Sequence, residues 1–365
     1  MTQLFSPFTI RNTTFKNRMV VSPMCMYSAK EGYSTDFHLV HLGSRALGGF
    51  GLIIQEATAV SPEGRITNGD VGIWEDGHIN KLKEIVAFCH SHDALVGIQL
   101  AHAGRKASCL PPFKGRKKID PNDEGGWQTF GPTDVPFHKA EPAPLAMDAE
   151  DIQKVKGDFV SATRRAKEVG YDVLEIHMAH GYLLHQFYSP MTNRRTDDYG
   201  GSFENRIRLI LEIADLVKKE WGDEKPLFVR ISASDWVDEG WTIEDSVALC
   251  QRLKEVGVDV IDVSSGGIVP KVKIPVAPGY QVGFSETIRN EVNISTGAVG
   301  KITTAAQSEA ILKSGQADLI LYARETLRQP NLPLQFARDL GEDITWPVQY
   351  ERAKLPHKLK FDKKI

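Results

Sequence analysis

Eight short apolar runs rich in β-branched residues recur along the chain, at 18–22, 52–56, 95–100, 173–177, 227–231, 260–264, 293–297 and 318–322. Between them lie longer stretches in which apolar residues fall at three- and four-residue steps, most clearly 77–92, 149–169, 203–219 and 242–256. A short continuous apolar run fits a strand covered on both faces, and the three-four step fits an amphipathic helix. Asp148 before Glu150 and Asp151, and Thr242 before Glu244 and Asp245, read as helix N-caps; Gly170, Gly257 and Gly315 stand where helices stop. Strands alternating with helices predict a parallel sheet, and eight strands close one. Gly48-Gly49-Phe50-Gly51 precedes a strand instead of following one, which is the wrong context for a dinucleotide-binding turn. The pattern predicts an α/β fold, a (β/α)8 TIM barrel forming a single domain over 1–365.

Two connections are too long for bare turns. One runs over 101–147 and is rich in Pro and Gly; the other runs over 181–202. Both follow strands, so both fall on the C-terminal face, where barrel enzymes keep their sites, and both read as lids. The segment after 345 reads as a tail, partly disordered beyond Lys354.

Composition changes this picture little. The 365 residues are 41% hydrophobic and 25% charged, with a formal charge of −3. That balance fits a soluble globular chain and gives no reason to expect nucleic acid or a membrane as partner. Cys25, Cys89, Cys109 and Cys250 are scattered without a Cys-x-x-Cys pair and read as free thiols of a reducing compartment. The first residues lack an apolar stretch of signal-peptide length, so the expected location is the cytoplasm.

The densest chemistry is Glu175-Ile176-His177-Met178-Ala179-His180-Gly181-Tyr182, where a strand ends and the chain turns. Two imidazoles and a phenol there read as a site that grips a polar group and holds a hydroxyl close by. Two other readings exist. One is a polar strand cap facing water. The other is zinc, with His185 as a third ligand, but no Cys pair or known ligand spacing accompanies it, and no metal is expected. The remaining strand ends supply Ser22, Pro23, Met24, Cys25 and Tyr27, then Ala57, Gln99, Arg230, Gly300 with Lys301, and Ala323 with Arg324. Small residues and a helix start after the last two strands make a phosphate site, which implies a phosphate-bearing cofactor.

The runs Ser22–Tyr27, Gln99–Arg105, His177–Tyr182 and especially Asn193–Arg206 are similar to those of the old yellow enzyme family of FMN-dependent ene-reductases. The resemblance spans essentially the whole chain, and Cys25 with Tyr27 points to its thermophilic-like branch. It implies non-covalent FMN held by Ser22, Pro23, Met24, Cys25, Ala57, Gln99, Arg230, Gly300, Lys301, Ala323 and Arg324. It implies NADPH or NADH as hydride donor and an α,β-unsaturated carbonyl compound or nitro-olefin as acceptor. His177 and His180 would bind the acceptor's oxygen, with Tyr27 as a further donor, and Tyr182 would deliver the proton. Cys25 would tune the flavin. The family usually has Gly before the last arginine, where this chain has Ala323. The run Gln349-Tyr350-Glu351-Arg352 resembles a tail of that branch whose arginine enters a neighbouring subunit's pocket, implying a homodimer or larger assembly with 345–365 at the interface. Other phosphate-binding barrels, such as aldolases, and a redox sensor acting through Cys25 stand as rivals.

Overall fold

The computed structural model describes residues 1–354. Eight parallel strands close into a barrel: Met19–Val21, Leu52–Ala59, Leu95–Ala101, Val173–Met178, Leu227–Ser232, Val260–Ser264, Ser295–Ala298 and Leu319–Tyr322. Closure is made where Ile320 pairs with Met19 and Tyr322 with Val21. The expected fold class therefore holds. The second strand runs on to Ala59, past the apolar run that marked it, through a register shift between Gln55 and Ala57.

Side chains alternate across a strand, so every second residue faces the barrel interior. Near the strand starts the inward positions are apolar: Val20, Leu52, Ile54, Val173, Phe228, Val260 and Leu319 form one buried cluster. An antiparallel hairpin, Phe8–Ile10 with Thr13–Phe15, closes this end, and Phe15 is fully buried in the cluster. Two residues further along, the inward positions become polar. Val173 is followed by Glu175 and His177, Phe228 by Arg230, and Val260 by Asp262 and Ser264. The barrel thus has an apolar floor and a polar upper chamber.

The four helices with a clear stripe appear as Ile79–His90, Ala149–Val169, Phe203–Trp221 and Ile243–Glu255. Asp148 accepts from the backbone N–H groups of Glu150 and Asp151, and Thr242 from that of Asp245. Gly170, Gly257 and Gly315 have φ of 99°, 94° and 73°, the left-handed region in which glycine stops a helix without strain.

The two long loops contain structure and are tied together. Leu183–Tyr188 is a short buried helix inside the second loop. Arg195 donates to the carbonyls of Pro132 and Met147 in the first loop, at 2.9 and 2.6 Å, and Thr133 Oγ1 donates to Thr192 O at 2.7 Å. Asn193 Nδ2 donates to Phe187 O and Tyr199 O. The distinctive run Asn193–Arg206 therefore braces the loops. After the last barrel helix, Leu332–Leu340, the chain forms a 3-10 turn at Val348–Ala353, with Val348 77% and Tyr350 42% exposed. The expected disorder beyond Lys354 lies outside the described residues.

Candidate active site

His177 is the inward residue one before the end of its strand, Val173–Met178, with its ring buried. The chain then reverses through His180 at φ +59° and Gly181 at φ +73°. Glycine is required at 181 because a Cβ there would lie 2.1 Å from Gly267 O. The reversal sets the His177 ring 5.1 Å from both the His180 and Tyr182 rings, edge-on to each at 83° and 79°. Gln186 Nε2 donates to Gly181 O at 2.7 Å, and Lys106 Nζ to His180 O at 2.7 Å, which lock the turn.

The electrostatics of these three groups are consistent. Ala179 N–H donates to His177 Nδ1, which puts the His177 proton on Nε2 as a free donor. His180 Nε2 lies 2.8 Å from Ser264 Oγ. Burial, reinforced by Arg230, holds both imidazoles well below the usual histidine range, so they are neutral near pH 7. Burial, with Cys25 and Tyr27 nearby, pushes the Tyr182 phenol well above its ordinary value and keeps its proton on. The third zinc candidate, His185, is turned elsewhere. It accepts from Gly181 N–H through Nδ1 and faces Asp235 through Nε2 at 2.8 Å. Among the described residues no group of three His, Cys, Asp or Glu is placed to hold a metal ion.

Below the histidines lies a buried polar layer. Gln99 Nε2 donates to Glu175 Oε1 at 2.7 Å, Arg230 Nη1 to Ser22 Oγ at 3.0 Å, and Arg230 Nε lies 3.1 Å from Asp262 Oδ2. Beside this layer a cavity of about 420 Å³ opens at the ends of the seventh and eighth strands. Arg230, Gly300, Lys301, Ala323 and Arg324 line it, together with Tyr280 and Gln281. Gly300 has φ +124°, and a Cβ there would come within 3.0 Å of the Tyr280 ring, so only glycine keeps this wall open. Ala323 has φ −98°, a value any L-residue adopts, so alanine enters this turn without left-handed strain.

On the opposite side Cys25, Trp127 and Tyr182 pack against a small buried cluster of Ile66, Ala103 and Ala107. Burial, with Asp70 and Glu56 nearby, raises its thiol well above the ordinary range, which keeps it protonated. Tyr27 follows at φ +53°, seated against Gly69, where a Cβ would lie 2.6 Å from Tyr27 O. Glu56 Oε1 accepts from Met26 N–H at 3.1 Å and holds this segment in place. Pro23 and Met24 are half-buried, and Ala57 lines a small cleft shared with Tyr182. Arg352 is exposed and makes no hydrogen bond or ion pair among the described residues, so its own chain does not bring it into this cluster.

Tyr280, Gln281, Lys106, Glu175 and Asp262 belong to the site but were given no role from sequence. Glu175 and Asp262 had a readable signal, an acidic residue at an inward position of a strand. Tyr280 and Gln281 had none, since they lie in a connection without periodicity.

The residues present fit FMN. The cavity falls within the range of about 300–1,000 Å³ usual for cofactor sites, and Lys301 and Arg324 offer cations beside small residues at a helix start. Arg230 Nε and both Asp262 oxygens are buried without a hydrogen-bond partner. A closed (β/α)8 barrel with this chamber fits a flavin-dependent oxidoreductase. Residues 3–343 match the model of the NADH:flavin oxidoreductase / NADH oxidase family. An NADPH dehydrogenase of Geobacillus sp. (strain WCH70) is 50% identical over 354 residues, which is 96% of this chain and 98% of that protein. Morphinone reductase in complex with tetrahydroNAD has a TM-score of 0.77 at 27% identity, over 94% of this chain and 92% of its own. A 2-naphthoyl-CoA reductase has a TM-score of 0.84 at 25% identity, and this chain spans 52% of its length. The chain belongs to the NADH:flavin oxidoreductase / NADH oxidase family, and the old yellow enzyme resemblance read from its motifs holds. It is an enzyme that uses FMN and NAD(P)H.

Proposed function

We propose that the chain is an ene-reductase acting on α,β-unsaturated carbonyl compounds and nitro-olefins. The observation that carries this reading is the cluster of neutral His177, neutral His180 and protonated Tyr182, held at one strand end above Arg230. FMN, when bound, supplies hydride taken from NAD(P)H. Ser22, Pro23, Met24, Cys25, Ala57, Gln99, Arg230, Gly300, Lys301, Ala323 and Arg324 hold it. Arg324 and Lys301 bind its phosphate, and Gln99 and Arg230 serve its ring, where a fixed cation favours added negative charge. His177 and His180 donate to the acceptor's oxygen, drawing electron density from the β-carbon. His180 Nε2 is engaged with Ser264 in the structure, so its donation requires its other nitrogen or exchange of that partner. Tyr182 gives its proton to the α-carbon, and Tyr27 adds a donor to the oxygen.

A half-buried Cys25 whose thiol is held protonated is a poor thiolate sensor, which favours catalysis over the redox-sensor reading. The barrel works as a homodimer or larger assembly in the cytoplasm, with Arg352 of one subunit shaping its neighbour's pocket near Tyr27. Support comes from the exposed Val348 and Tyr350 beside Arg352, which has no partner among the described residues. Among the described residues no helix is long and apolar enough to cross a membrane. The test is the visible spectrum of the purified protein. Flavin bands should bleach with anaerobic NADPH and return with cyclohexenone; a colourless protein, or bands that stay bleached with the enone, would overturn the reading.

A further inference from the structure

The polar layer under the histidines carries an unbalanced charge. Gln99, Glu175, Arg230 and Asp262 come from four consecutive barrel strands, with Gln99 paired to Glu175, and Arg230 paired to both His177 and Asp262. All four are buried, the two carboxylates completely. The charged groups around Glu175 are Arg230 on the next strand and Asp262 one strand further; His177 above it on its own strand is neutral, and Gln99 on the other side is uncharged. Two carboxylates therefore face one guanidinium. The hydrogen bonds are also incomplete. Gln99 satisfies Glu175 Oε1, but Glu175 Oε2 and both oxygens of Asp262 have no donor, because Arg230 Nε is near Asp262 without pointing along a hydrogen bond. A buried ionised oxygen without a donor is costly, and two carboxylates in one site resist ionising together.

We propose that Glu175 and Asp262 hold one proton between them in the resting protein, and that Glu175 is thereby a positioning residue for the flavin site, fixing the Gln99 amide and the net charge beside Arg230. Because one Nε2 hydrogen of Gln99 is taken by Glu175, the amide is held in one orientation, with its oxygen and its second N–H left for a bound ligand. With the shared proton the layer is neutral; without it the layer is anionic and opposes negative charge arriving above Arg230. Such charge in turn raises the proton affinity of the pair, which draws a further proton from solvent. Burial and then Asp262 push Glu175 up to about 8, and burial raises Asp262 to about 6 against the pull of Arg230, in agreement with one proton held near neutrality.

The part concerning the ring rests on the flavin reading; the proton does not. Infrared spectra of the purified protein in H₂O and D₂O at pH 7 should show a deuterium-sensitive protonated-carboxyl band that Glu175→Gln removes or shifts. A wild-type spectrum without that band, or a band unchanged in both Glu175→Gln and Asp262→Asn, overturns the shared proton. In the flavin-loaded protein, dye equilibration should show a bend near pH 8 in the potential of wild type and none in Glu175→Gln. Glu175→Gln should keep the wild-type flavin absorbance, whereas Glu175→Leu, which releases Gln99, should shift it. Identical potential curves in wild type and Glu175→Gln, or an unshifted Glu175→Leu spectrum, overturn the positioning role. A protein without flavin fails the functional reading alone, and the infrared result still decides the proton.

Discussion

Lys106 Nζ donates to the backbone oxygen of His180 at 2.7 Å and reaches on to Gly267 O at 3.0 Å. One side chain thus pins the turn after the fourth strand to the loop after the sixth. The two segments touch closely, since a Cβ at Gly267 would lie 2.6 Å from the His180 carbonyl carbon. The stem of Lys106 also brings its charge over the rings of Phe137 and Tyr182, at 4.6 and 5.1 Å.

Replacing Lys106 with Met should therefore keep the packing and lose the clamp. Each lost hydrogen bond costs about 1.5–3 kcal/mol where the amine is charged and about 0.5–1.5 kcal/mol where it is neutral, and the urea midpoint should fall accordingly. KM for cyclohexenone should rise as His180 loses its support, while flavin stays bound. An unchanged midpoint and unchanged KM would show that the turn holds without Lys106. Burial, then Arg116 and Arg105, lowers this amine to about 7 in the fold, against about 10.4 when unfolded. The unfolded chain binds the extra proton between those values, so wild-type stability should gain on the variant as pH rises through that window.

Alternation alone made much of the chamber legible. Val173, Glu175 and His177 point the same way because they are two apart, and the same rule places Phe228 with Arg230. Asp148 and Gly170 marked the ends of their helix because each does a local job. Contacts between distant segments left no such trace. Lys106 and His180 are separated by 74 positions, and Lys106 in sequence is one more surface-type cation. The helix Asp36–Leu47 was hidden because its buried face includes His38 and Arg45, which break the apolar stripe. The second strand overran its apolar signal because a register shift, and not a change of residue type, carries it past Glu56.

His177→Ala and His180→Ala should each slow flavin reoxidation by enones, since removing one oxyanion donor costs about 2.7–4 kcal/mol, or about 10²–10³ in rate. Both imidazoles are held well below the usual histidine value by burial and Arg230. Protonation therefore should not intervene as pH falls from 8 to about 6.5, the ordinary histidine pKa, and kcat/KM for cyclohexenone should show no histidine break there. A wild-type rate in both variants would show that the oxygen is bound elsewhere.

Tyr182→Phe should leave hydride transfer partly intact and slow protonation of the α-carbon. The phenol sits edge-on to His177 and keeps its proton because it is buried. Enones need that proton to complete turnover, whereas a nitro-olefin can leave as its nitronate and be protonated in water. Stopped-flow reoxidation and product analysis with the two substrate classes should show a larger loss for enones. Equal losses would mean that another group supplies the proton.

The tail gives the last prediction. Trp346 to Arg352 follows the last barrel helix, and its 3-10 turn presents Val348 and Tyr350 to solvent instead of packing them on the barrel. An exposed aromatic side chain beside an arginine is the composition favoured where one chain docks on another. Arg352 has no partner among the described residues of its own chain, and its flat, permanently charged head suits stacking on a ring while donating several hydrogen bonds. Truncation before Trp346 should therefore lower the apparent mass in solution and raise KM for enones several-fold. FMN should stay bound, because Arg230, Lys301 and Arg324 all stand on the barrel. Arg352→Ala separates the two effects: it should raise KM while leaving most of the assembly intact. If the truncated protein elutes at the wild-type size with wild-type KM, the pocket is complete within one chain.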